Sequence, residues 1–355
     1  METMRAVILT GHGGLEKLEY RKDWPKPRPA AGEVLVRVCA CGLNNTDVNT
    51  RTGWYSPSAG GATTGDAQPD AREADAAWSG TALQFPRIQG GDAAGIVESA
   101  EDAELIGRRV LIDPCMRDPD APDDLEKVAY FGSECDGGFA EYVKVPARQV
   151  YPVNCGLSDA ELATFAISYS TAENMLTRAK VCAEDTVLIS GASGGVGSAL
   201  IQLAKRRGAR VAALSGESKH DALREIGADL LLPRAPQDLP AALAAFGPVS
   251  VVADVVGGAY FSALENIIRR GGRYVCSGAI AGAEVRFDLR PFYLRDLTFY
   301  GATALAPGVF ANLTGYIERG EIRPLLAKTY PLKNLREAQQ EFIQKRHIGN
   351  IAVVM

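Results

Sequence analysis

Between residues 4 and 145 the apolar positions come in short runs: MRAVIL (4–9), EVLVRVCA (33–40), GIVESA (95–100), RVLI (109–112) and AEYVKV (140–145). Gly, Pro and Asp clusters separate them, so each run predicts a strand and their close spacing predicts a compact, partly closed β unit. Residues 56–85, rich in Ala, Gly, Asp and Ser, carry little periodicity and interrupt that unit. They read as a long loop or insertion, serving either as a functional lid or as a disordered segment. From residue 156 the pattern changes. Ser158 with Glu161 three residues on opens a capping box and a helix or two. DTVLISG (185–191) then reads as a buried strand, GGVGSALIQLAKRRG (194–208) as a helix ending at Gly208 and ARVAALSG (209–216) as a second strand. KHDALREIGAD predicts a helix, VSVVADVVGG a strand, FSALENIIRRGG a helix and RYVCSGAIAG a strand. Such βαβ alternation predicts a doubly wound parallel sheet.

A chain of 355 residues exceeds one ordinary core, which agrees with two domains. The formal charge of −5, with 46% hydrophobic and 23% charged residues, favours neither a nucleic-acid surface nor a polybasic membrane patch, leaving a small-molecule partner. No basic leader and no run near 18 apolar residues is present, so no membrane role and a cytoplasmic location are expected. Seven cysteines, an odd number without disulfide rhythm, read as reduced thiols. Cys39 and Cys41 sit only two apart at a strand end and are not expected to grip one ion together there without a bend. The three histidines, His12, His220 and His347, have no second ligand near them in sequence.

The chemistry concentrates in the glycine loop. Gly191, Gly194, Gly195, Val196 and Gly197 lie between a strand and a helix start, where glycines permit close backbone approach and the helix N-terminus offers free N–H groups to a pyrophosphate. The strict G-x-G-x-x-G is not met, because Ala192 holds its first glycine position. NAD sites usually carry an acid at the end of the second strand. Here Ser215 and Gly216 occupy that place and Lys219 follows, which favours the 2′-phosphate of NADPH. The alternative leaves Lys219 solvated and gives the ribose to Glu217.

GEVLVRV, CGLNNTD, FPRIQGGDAAGIV, DGGFAEYVKVPA, STAENML, GASGGVGSALIQLAK, DVVGG and HIGNIAVV together resemble the medium-chain dehydrogenase/reductase superfamily over essentially the whole chain. The resemblance implies a GroES-like β-rich catalytic domain (1–155 and 304–355) and a Rossmann NADP-binding domain (156–303), with a homodimer as the usual assembly. Zinc alcohol dehydrogenases of this family carry ligands at positions that align with Asn44, Gly91 and Ile167, none of them a usable zinc donor. A structural zinc lobe would need four close cysteines where only Cys115 and Cys135 stand. No metal is therefore expected.

Asn44 in GLNNTD resembles the zinc-independent quinone oxidoreductase branch, which implies hydride transfer from NADPH to a quinone, 2-alkenal, enone or other conjugated carbonyl. Asn44 is then a hydrogen-bond donor, and Tyr55 resembles a substrate-pocket tyrosine, or else packs beneath the 56–85 loop. Trp78 either caps an apolar pocket or anchors that loop. By the same resemblance Thr171, Ser277, Gly278, Ala279 and Asn350 contact the cofactor. The rival readings are an alcohol dehydrogenase acting on an alcohol/aldehyde pair and a non-catalytic NADPH-binding protein.

Overall fold

A computed structural model describes residues 2–355 and divides the chain into two units. The first comprises residues 1–59, 64–167 and 310–355; the second comprises 60–63 and 168–309. The boundaries expected from sequence were 155/156 and 303/304. Residues 156–167 stay with the first unit because Ser158 caps the short helix Asp159–Leu162 and Ala163 packs at Gly42 of the strand Glu33–Gly42. An added Cβ at Gly42 would overlap the Ala163 carbonyl oxygen.

In the first unit Glu33–Gly42 is the central strand, pairing antiparallel with Asp92–Ser99, Tyr142–Pro146 and the C-terminal strand Asn350–Val354. Val34, Val36 and Cys41 are all fully buried while Cys39 is half-buried, and the register shift between Val38 and Ala40 in the pairing with Asp92–Ser99 interrupts strict alternation. A smaller sheet runs Leu18–Pro25, Thr3–Leu9, Arg87–Ile88. The Leu18–Pro25 strand, LEYRKDWP, is mostly exposed and has too few apolar residues to stand out in the sequence pattern.

The 56–85 segment is ordered and largely irregular. Arg51, fully buried, donates to the carbonyls of Gly13 (2.7 Å) and Gly65 (3.3 Å) and to Gln339 Oε1 (3.0 Å), tying the start of the segment to the core. Trp78 stacks on Tyr130 with ring centroids 4.3 Å apart, and its N–H donates to Ser133 Oγ at 3.2 Å. Trp78 therefore anchors the segment.

The second unit is a six-stranded parallel sheet in the order Leu230–Leu232, Arg210–Leu214, Thr186–Ile189, Val249–Asp254, Ile268–Cys276, Thr298–Gly301. The helix Gly195–Arg206 follows the first strand in chain order and ends before Gly208, whose φ is +83°. FSALENIIRRGG departs from its predicted helix: only Phe261–Asn266 is helical, and residues from Ile268 onward already run as strand. Ile268 is buried opposite Val249, and Gly271 at φ +68° lets the chain bend while the pairing continues. Among the described residues no helix is long and apolar enough to cross a membrane.

Candidate functional site

In the first unit the three positions expected to have lost zinc ligands converge. Asn44 precedes the helix Asn45–Thr52, its backbone N–H donating to Asp47 Oδ2 at 2.7 Å, and its side-chain Nδ2 donates to Asp92 Oδ2 at 3.1 Å. Asp92 also accepts from the Ile167 N–H at 3.3 Å. A Cβ added at Gly91 would lie 2.9 Å from Ile167 Cδ1 and 3.1 Å from the Phe131 carbonyl oxygen. Space that an imidazole would need at 91 is filled by Ile167 and backbone. What meets here is an amide already bonded to a carboxyl, a glycine and a hydrocarbon, and this donor set does not fit Zn²⁺. Among the described residues no group of three or more His, Cys, Asp or Glu could hold a metal ion. Cys115 and Cys135 are both free thiols.

Burial pushes the carboxyls of Asp92 and Asp47 each up to about 7. For Asp92 the hydrogen bonds from Asn44 and from the 166–167 backbone act the other way, and the Asp47 charge adds to the rise. Fully buried Cys41 beside them has its thiol pushed up, by burial first and then by both aspartates. A neutral thiol packed at 0% exposure is structural.

Tyr55 follows the same helix and is half-buried, edge-on to Trp54 at 5.9 Å. Burial pushes its hydroxyl up to about 12, against hydrogen bonds with Thr46 and Asn49. It therefore keeps its proton at neutral pH and can only act as a hydrogen-bonding group or proton donor there. Asn350 is buried at the start of the C-terminal strand, with its amide donating to the Thr164 carbonyl at 3.2 Å.

The second unit gathers its residues at the C-terminal end of the parallel sheet, where four strand ends lead into Gly191–Gly197, Ser215–Lys219, Val255–Gly258 and Ser277–Ala281. Gly191 takes φ +58°, and a Cβ at Gly197 would overlap the Gly191 carbonyl oxygen, so the helix can meet the loop this closely only with glycine at 197. Gly194 caps the helix, with Gly195 and Val196 forming its first turn of open N–H groups. Thr171 sits half-buried on the helix Ser168–Arg178, whose Tyr169 hydroxyl accepts from Gln202 of Gly195–Arg206 at 3.0 Å.

One residue here carries a role its sequence motif did not announce. Asp254, fully buried, accepts from Ser190 Oγ, from the Tyr274 hydroxyl (2.6 Å) and from the Val256 N–H (2.8 Å). Ser190 immediately precedes the glycine loop. The 255–258 turn is bonded in turn to the 277–282 loop, through Ala281 N–H to the Val256 carbonyl (2.8 Å) and Gly258 N–H to the Gly282 carbonyl (3.0 Å). Asp254 thus fixes the glycine loop and the Ser277, Gly278, Ala279 loop to one another. An aspartate closing a buried strand before a Gly pair was the available signal.

Comparison with known proteins bears on the family and the fold of both units. Residues 30–155 match the alcohol dehydrogenase GroES-like domain and residues 195–319 match the zinc-binding dehydrogenase domain. A quinone oxidoreductase of Rattus norvegicus is 25% identical over 96% of this chain and 94% of its own length. An NAD-dependent alcohol dehydrogenase of Sulfurisphaera tokodaii is also 25% identical, over 99% of this chain and 100% of its own. A solved structure from Sinorhizobium meliloti 1021, provisionally assigned as an alcohol dehydrogenase, is 44% identical with a TM-score of 0.89, covering 100% of this chain and 97% of that one.

Proposed function

Because this chain belongs to the medium-chain dehydrogenase/reductase superfamily, we propose that it is a zinc-independent, NADPH-dependent oxidoreductase acting on a quinone, 2-alkenal, enone or other conjugated carbonyl. The observation that carries this reading is the convergence of Asn44, Gly91 and Ile167 without a metal donor among them. Reducing a simple ketone without a Lewis acid leaves an alkoxide unsupported. A conjugated acceptor spreads the incoming electron pair into an enolate or quinol, which hydrogen-bond donors and a solvent proton can serve.

The residues divide by unit. The first serves as the catalytic domain and supplies Asn44 and Tyr55 as donors to the developing oxyanion. Asp92 orients the Asn44 amide, and the raised Tyr55 hydroxyl stays protonated through the physiological range. The second serves as the NADP-binding domain: the Gly194–Gly197 helix start takes the pyrophosphate and Ser215, Gly216 and Lys219 the 2′-phosphate, with no acid at the end of the second strand to oppose it. Thr171, Ser277, Gly278 and Ala279 of the second unit serve the nicotinamide end, and Asn350, in the first unit, is a further cofactor contact in this reading. NADPH, when bound, supplies the hydride.

A homodimer is supported by the edge of the parallel sheet. Leu289, Tyr293 and Leu294 are 61%, 60% and 55% exposed shortly before the edge strand Thr298–Gly301, an apolar group that a second copy would cover. Seven unpaired cysteines suit the cytoplasm.

The alcohol dehydrogenase names among the relatives favour a second reading, an alcohol/aldehyde pair. Steady-state oxidation of NADPH and NADH by chelator-treated protein, over quinones, 2-alkenals, enones and saturated aldehydes, separates the two. Turnover of conjugated acceptors unaffected by chelation is expected. Activity confined to alcohols or saturated aldehydes and dependent on added Zn²⁺ would establish the second reading instead.

A further inference from the structure

The strand Arg210–Leu214 pairs in parallel with Leu230–Leu232, Leu214 opposite Leu232, and the Ser215 N–H donates to the Leu232 carbonyl at 3.1 Å. Parallel pairing brings the two chain exits side by side. The segment beginning at Ser215 and the one beginning at Pro233 therefore leave the sheet as neighbours. Arg234 is exposed and lays its guanidinium against Gly216, so that a Cβ added at Gly216 would lie 3.5 Å from Nη2 and 3.6 Å from Nε. Lys219, only 8% exposed, ends the short 3-10 turn Glu217–Lys219 that follows Gly216.

The Arg234 charge reaches Lys219, which is largely out of water, and the two cations repel each other. Burial lowers the Lys219 pKa and the neighbouring Arg234 charge lowers it further. Such a pair is unfavourable in the empty protein and becomes favourable when a multiply charged anion sits between its members. The buried Ser215 hydroxyl donates to the Gly216 carbonyl oxygen at 3.3 Å, and Gly216 itself is half-buried. Arginine brings a planar fork that matches two phosphate oxygens at once, which lysine as a point charge does not.

We propose that Arg234 is a cofactor-specificity residue of this chain, closing on the adenosine 2′-phosphate from the end of the third strand together with Lys219. The inference rests on the NADPH reading above and deepens it, since that reading used only residues that follow the second strand. Arg234 comes from a different βα connection, so exchange of the second-strand residues alone leaves half of the discrimination in place.

The test is titration of the full-length protein and its Arg234→Ala and Arg234→Lys variants with NADPH, NADH, 2′-AMP and 5′-AMP, followed by intrinsic tryptophan fluorescence or calorimetry. Arg234→Ala is expected to weaken NADPH and 2′-AMP roughly 10- to 100-fold, the range for a charge-assisted hydrogen-bonded pair. NADH and 5′-AMP should change several-fold less, and Arg234→Lys should fall between. If the unaltered protein prefers NADPH and Arg234→Ala keeps that preference undiminished, the role of Arg234 is overturned while the NADPH reading stands. If the unaltered protein binds NADH as tightly as NADPH and 5′-AMP as tightly as 2′-AMP, the NADPH reading itself falls, and this inference with it.

Discussion

Asn44 Nδ2 donates to Asp92 Oδ2 across 3.1 Å in a buried pair, at a position that the sequence resemblance aligns with a zinc ligand. The Asp92 carboxyl orients the Asn44 amide directly. Removing the Asp92 acceptor while keeping its shape should therefore act on both stability and turnover.

Asp92 has its carboxyl raised to about 7 against a usual value of 3.8. A raised acid holds a proton in the folded protein that it has lost in the unfolded chain, so its contribution to stability is complete below pH 4 and declines as pH climbs to about 7. Asp92→Asn removes that dependence. Urea unfolding of both proteins should show the stability difference, native minus variant, falling by roughly 1–3 kcal/mol between pH 4 and pH 7.5. Equal differences at the two pH values would mean the carboxyl is ionised throughout.

Tyr55→Phe should lower kcat on a conjugated acceptor roughly 10- to 100-fold and leave the Kd for NADPH within about twofold, since the hydroxyl is assigned to the oxyanion. With that hydroxyl at about 12, no alkaline limb belonging to it should appear in kcat/KM below pH 10. A limb near pH 9 that vanishes in the phenylalanine variant would place the hydroxyl in a more polar setting than its burial indicates.

Gly197→Ala forces a methyl group into the Gly191 carbonyl oxygen and to 2.6 Å from Ala192 Cα. Backbone has to shift on one side or the other. A loss of about 1–3 kcal/mol is expected, together with weaker binding of both NADPH and NADH. Gly194→Ala is the control, because its added Cβ meets only the Gly191 oxygen at 3.6 Å.

Trp78→Ala removes the 4.3 Å stack on Tyr130. Since Trp78 is only half-buried, the loss should be about 1–2 kcal/mol rather than the larger figure for a core tryptophan. Limited proteolysis should then cut within residues 56–85 first, and an unchanged pattern would show that Arg51 alone holds the segment.

Tyr293→Glu combined with Leu289→Glu places charge on the most exposed apolar positions of the sheet edge. Light scattering after size-exclusion chromatography should register conversion from dimer to monomer. A variant that keeps the mass of the unaltered protein would move the interface elsewhere.

Much of this was legible without coordinates, and the reason is range. Ser158 with Glu161 acts over one helical turn, Gly208 ends a helix through its own φ, and Gly191–Gly197 shape a single loop, so neighbours in sequence suffice to announce them. The residue types at 44, 91 and 167 likewise settled that no thiolate or imidazole stands there. FSALENIIRRGG misled because its helical spacing was overruled by the pairing of Ile268 with Val249, a partner the local pattern does not contain. The 56–85 segment was equally opaque, because Arg51 and Tyr130, which hold it, lie outside it.

What the sequence by itself determined is the strand-helix alternation of the second unit, the glycine loop between its first strand and helix, and the lack of a thiolate, imidazole or carboxylate at 44, 91 and 167. Only the tertiary structure decided that Asn44 answers to Asp92, that Asp254 ties the glycine loop to the 277–282 loop and that Arg234 lies against Gly216. Each of those depends on which strands become neighbours, and strand pairing is fixed by burial and hydrogen bonding summed over the whole sheet, which no short stretch of sequence encodes.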